Sequence, residues 1–158
     1  MKQTFKTGFC FGTTTGIITT LGLMVGVESG TNSVLAVIGA VLTIAIADAF
    51  SDSLGIHISQ ESDSKKTNKQ IWEATFSTFI TKLFVGITFI IPVFLLDLTS
   101  AVIASTAWGM ILLGILSFYI AKENKSKFWL VITEHVGIAS AVVVITYFFG
   151  KWIALTFA

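Results

Sequence analysis

The chain has 158 residues, of which 54% are hydrophobic and 12% charged, with a mean hydropathy of +0.86. A formal charge of +1 excludes a nucleic-acid-binding protein, which needs a basic excess, and the hydrophobicity excludes disorder. One cysteine, Cys10, excludes a disulfide framework and a four-thiolate zinc site, so the chain reads as a small all-α integral membrane protein.

Crossing about 30 Å of hydrocarbon takes about 20 apolar residues, and five intervals between charged stretches are that long. They are Gly8–Val27, Ser33–Ile58, Ala74–Leu96, Ala101–Ala121 and Phe128–Leu155. The runs are too long for barrel strands and do not alternate. Ser59–Trp72 reads as an aqueous loop, and the other links are tight. The chain has no arginine, so lysines set the orientation. With the N-terminus in the cytosol, Lys2, Lys6, Lys65, Lys66, Lys69, Lys82, Lys122, Lys125 and Lys127 lie inside and Lys151 alone outside, a strong positive-inside bias. One domain of five helices, N-in and C-out, is expected.

The first span carries Gly8, Gly12, Gly16, Gly22, Gly26 and Gly30 within an arc of roughly 120°, a face on which another helix backbone can approach closely. The second span has Gly39, Thr43, Ala47, Ser51, Gly55 and Ser59 at steps of four. Tight packing inside one bundle accounts for such stripes. A subunit interface or pathway along the first two spans, with Gly12, Gly16, Gly22 and Gly26 in it, is the sharper reading.

Ionisable residues inside spans are few. Asp48 and Asp52 stand four apart on one face of the second helix, with Ser51 beside them. His57 and Glu61, also four apart, fall near the cytoplasmic surface as an entrance. Glu134 and His135 lie in the last span. At ~1.5 Å per residue, Asp52 is ~12 Å from the cytoplasmic end, Glu134 ~10 Å and Thr15 ~13 Å, so three helices could contribute to one level. Lys82 is placed close enough to the inner surface to snorkel, which leaves the two aspartates without a basic partner. A charge in hydrocarbon costs about 2.5–3.5 kcal/mol, so protons, water or a bound cation must offset it. Oxygen and imidazole donors suit a first-row divalent ion such as Fe²⁺ or Mn²⁺. Met24 and Met110 are expected to be packing, and no nucleophile–base arrangement marks an enzyme.

Three segments resemble the vacuolar iron transporter family. They are FGTTTGIITTLGLMVG (Phe11–Gly26), IAIADAFSDSLGIHISQ (Ile44–Gln60) and AVVVITYFFGK (Ala141–Lys151). The resemblance implies a homodimer of five-helix subunits built around helices 1 and 2, exporting Fe²⁺ or Mn²⁺ from the cytosol in exchange for protons. It departs at Thr15, where the family has an acid, at Ile44 and Asp48, where it has methionine and glutamate, and in lacking the Glu-rich segment between helices 2 and 3. Asp52 and Glu134 are the candidates to replace the missing carboxylate. Metal is expected as cargo, with no tightly bound cofactor. The membrane expected is a prokaryotic plasma membrane, or a vacuole-type membrane in a eukaryote. A non-transporting assembly subunit that packs through its glycine stripes is the second reading.

Overall fold

In a computed structural model of the chain, residues 3–157 are described, and Lys2 of the orientation argument lies outside them. The elements are α1 (Gln3–Thr31), α2 (Val34–Glu61), α3 (Asn68–Thr88), the short α4 (Ile91–Leu95), α5 (Leu98–Glu123) and α6 (Phe128–Phe157). Five segments are long and apolar enough to cross a membrane, with α3 and α4 together forming the third. No strand occurs among the described residues.

Local chemistry sets the helix boundaries. α1 ends at a turn in which Asn32 adopts φ 48°, a left-handed conformation that asparagine tolerates. Ser33 then caps α2 by accepting from the Ala36 amide. α3 opens on a capping box between Thr67 and Gln70, which satisfies two otherwise orphaned donors. Its helix therefore starts six residues before the expected span, and α2 runs three beyond its own. The aqueous loop shrinks to residues 62–67. α3 stops at Phe89 because Pro92, at the start of α4, cannot donate the helical bond that would continue it. Asp97 caps α5 by accepting from the Ser100 amide.

α1 is the central helix, and α2, α3, α5 and α6 all pack on it. Half of its most apolar stretch is buried, against 6% for α6 at the periphery. Its composition follows from that place, because a helix surrounded by four others needs small residues where backbones meet. A Cβ on Gly12 would lie 2.7 Å from the Thr78 carbonyl oxygen of α3, and one on Gly8 would run into the Ala74 carbonyl. Further along, a Cβ on Gly22 would lie 2.8 Å from Val142 of α6, and Gly26 and Gly30 face Thr146 and Gly150. The stripe thus serves α3 with one half and α6 with the other. Tight packing inside the bundle is its use, so Gly12 and Gly16 are not free to form a subunit interface.

Hydroxyls reinforce both seams. Ser77 of α3 donates to the Phe5 carbonyl (2.9 Å), and Ser29 of α1 donates to the Tyr147 carbonyl of α6 (3.1 Å). The apolar core gathers Ile17, Leu21, Met24 and Val25 of α1 with Val37, Val41, Phe89, Val102 and Leu113. Met24 is fully buried there and Met110 packs against it, so both methionines are packing. The outward surface is a continuous display of Leu, Ile and Phe, including Leu42, Ile46, Phe84, Ile103, Ile145 and Phe148, which suits contact with lipid rather than water. The small-residue row of α2 (Gly39, Thr43, Ala47, Ser51, Gly55 and Ser59) is exposed along its length. A Cβ added at Gly39 or Gly55 would meet nothing within 4 Å.

A candidate ion site between helices 2 and 3

Asp48 and Asp52 stand one turn apart on the edge of α2 that meets α3, their side chains 20% and 21% exposed. Between them sits the ammonium of Lys82 from α3, its side chain 2% exposed. Nζ lies 2.6 Å from Asp48 Oδ2 and donates a short hydrogen bond to Asp52 Oδ2. This overturns the expectation of two acids without a basic partner. Lys82 does not snorkel, because α3 begins at Asn68 and about 21 Å of helix separates the two residues, beyond the reach of a lysine stem. It turns inward, against α1.

The site is asymmetric. Asp48 Oδ2 is buried and ion-paired with the ammonium but outside hydrogen-bond geometry, while the well-directed hydrogen bond goes to Asp52. Gly16 of α1 makes room for the lysine, and a Cβ there would come within 3.3 Å of its Cγ. Asp48 also lies at the inner end of a groove of about 670 Å³. α1 forms the groove floor through Thr19, Gly22, Gly26 and Gly30, and α2 and α6 form its walls. The groove runs from Asp48 toward the bundle end that carries the α1–α2 turn. The glycines that let α6 approach α1 therefore also line a groove that reaches a carboxylate.

The remaining candidates do not converge on this centre. Thr15 donates to the Phe11 carbonyl of its own helix (2.9 Å). Ser51 is exposed and lines a separate aromatic groove with Phe50, Leu54, His57, Trp72 and Phe76. His57 Nδ1 is 3.0 Å from the Thr75 hydroxyl, which gives its own proton to the Ile71 carbonyl, so the imidazole is the donor and holds α2 to α3. Glu61 is exposed in the last turn of α2. Glu134 is exposed on α6, while His135 shares a 2.8 Å hydrogen bond with Ser117 of α5. The common level estimated from depth fails because equal depth says nothing about which way a residue faces. α6 turns its His135 to Ser117 of α5, whereas the two aspartates and Lys82 meet where α2 packs on α3. Among the described residues, no group of three or more His, Cys, Asp or Glu side chains is placed to hold a metal ion.

Sequence reasoning missed Lys82 as a site residue. The available signal was the Thr67–Gln70 capping box, which sets the true start of α3 and so the depth of Lys82. Compared with known protein families, curated proteins and solved structures, the chain matches none.

Proposed function

We propose that the chain is a proton-coupled transporter of a divalent metal cation, Fe²⁺ or Mn²⁺, carrying it out of the cytosol through Asp48 and Asp52. The observation behind this reading is the pair of aspartates gathered on one lysine, with Asp48 of the pair at the inner end of a groove. One acid would suffice to balance Lys82. The second leaves a surplus negative charge inside a membrane span, where a charge costs about 2.5–3.5 kcal/mol. A cation or a proton offsets that charge, and a site able to hold either one can exchange them. Carboxylate oxygens are donors for hard and borderline divalent ions. The resemblance of three segments to vacuolar iron transporters supports iron or manganese as the ion.

In this reading the lysine-rich end faces the cytosol, in a prokaryotic plasma membrane or a vacuole-type membrane. Two copies pair through the exposed small-residue row of α2, with no catalytic chemistry involved. Proteoliposomes test the reading with a panel of Fe²⁺, Mn²⁺, Co²⁺, Ni²⁺ and Zn²⁺, with and without a pH gradient. Flux of Fe²⁺ or Mn²⁺ driven by the gradient, and lost in Asp48→Asn and in Asp52→Asn, is the expected result. Undiminished flux in both variants would remove the site assignment. A second reading, a non-transporting assembly subunit, is favoured by one observation, the open α2 row. It predicts no flux of any ion and an assembly that breaks when Gly39 or Gly55 is enlarged.

A further inference from the structure

The contacts of Lys82 bear on how such a site would be filled. Its ammonium bridges two carboxylates spaced one helical turn apart, the position a divalent ion would take between the same oxygens. Lys82 pairs with both acids, but unequally: it donates a well-directed hydrogen bond to Asp52 Oδ2, while buried Asp48 Oδ2 is held by the ion pair alone, outside hydrogen-bond geometry. The lysine head is a compact charge on a flexible four-carbon stem. On the α1 side that stem faces Gly16, whose missing side chain leaves room for it. Asp48 also lines the groove, so the acid with the less directed contact to the lysine is the one next to open space.

We infer that Lys82 is a tethered stand-in for the transported cation, filling the place between Asp48 and Asp52 until cargo displaces it. The inference rests on the transport reading in taking these two acids as the cation's ligands. Lys82 then sets the affinity of the site. While its charge is in place, a cation meets one surplus negative charge instead of two, and it must break an existing ion pair to bind. A weakly held ion is also one that can be released.

The test is calorimetric titration of the purified full-length chain with Mn²⁺ alone at one fixed pH, for the wild type, Lys82→Gln and Lys82→Arg. Circular dichroism and gel filtration check that each variant is folded. Lys82→Gln removes the competing charge and keeps a donor, so it should bind Mn²⁺ on the order of tenfold tighter than the wild type. Adding Asp48→Asn should cancel that gain. Lys82→Arg keeps the charge but holds both carboxylates with a fixed fork that a cation must displace, so it should bind several-fold more weakly than the wild type. Folded Lys82→Gln with wild-type or weaker affinity would overturn the inference and make Lys82 a structural counter-ion. If Lys82→Gln fails to fold, Lys82→Arg decides, because wild-type binding by that variant overturns the inference equally. Tight Mn²⁺ binding by Lys82→Gln in a protein that shows no flux would uphold the stand-in and remove the transport reading. Flux in the wild type with Lys82→Gln affinity unchanged would do the reverse, and absence of binding in every variant would remove both.

Discussion

Asp48 and Asp52 are legible in the sequence because two acids in an apolar run stand out and their spacing places them on one face. Lys82 is less legible, since its meaning depends on depth and depth depends on where α3 begins. Its removal should show in stability. Lys82→Met leaves two half-buried carboxylates without a counter-charge, and breaking a buried pair costs up to about 3–5 kcal/mol. With each acid a fifth exposed, a loss near the lower end, about 3 kcal/mol, is expected in thermal unfolding in detergent. Adding Asp48→Asn and Asp52→Asn should restore most of it. A second residue gives a pH signature outside the spans. The Ser100 amide bonds the Asp97 carboxyl and holds it below its ordinary value of 3.8. Its contribution to capping α5 is therefore complete above that value and is lost as pH falls through the lower, folded one. Unfolding followed through the acid range should show this loss in the wild type, and Asp97→Asn, which caps without titrating, should lack it.

Individual helices were readable because hydrophobic length dominates everything else in a membrane chain. Their ends were not, since capping boxes and Pro92 act within single turns. What each glycine stripe faces was not readable either, because close packing on another helix of the same chain and packing on a second copy leave the same pattern. The two stripes prove different. Gly12→Leu would drive a side chain into the Thr78 carbonyl, 2.7 Å from the added Cβ, and force α1 from α3. A loss of about 1–3 kcal/mol is expected from overpacking of this kind. Gly55→Leu projects into open space within one copy, so the single chain should keep its stability within about 0.5 kcal/mol. Thermal unfolding of both variants in detergent that keeps the chain monomeric checks the contrast.

At the level of the whole molecule, the described residues form a bundle with one heavily buried helix and four that surround it. An outward row of small residues on α2 has open space beside its glycines, Gly39 and Gly55. If two copies meet along that row, cysteines placed at Gly39 or Gly55 in a Cys10→Ser background should form disulfide-linked dimers in membranes. A cysteine at Gly12, enclosed against α3, should not. Non-reducing electrophoresis reads the difference, and equal crosslinking at all three would place the contact elsewhere.

The amino-acid sequence by itself determined that the chain is helical, that five of its segments are long and apolar enough to cross a membrane, and that two aspartates lie deep within one of them. These are properties of a single helix: its length, its periodicity and its composition. Only the tertiary structure decided what those aspartates face. Whether an acid is unpaired, shared or balanced depends on a neighbouring helix, and here α3 brings in Lys82 while α6 keeps Glu134 away. The scarcity of charge noted at the outset keeps the same significance with a different membership, since the interior centre is two acids and a lysine. The lysine belongs to it because Gly16 on α1 and the early start of α3 leave it no nearer charge than the aspartates of α2.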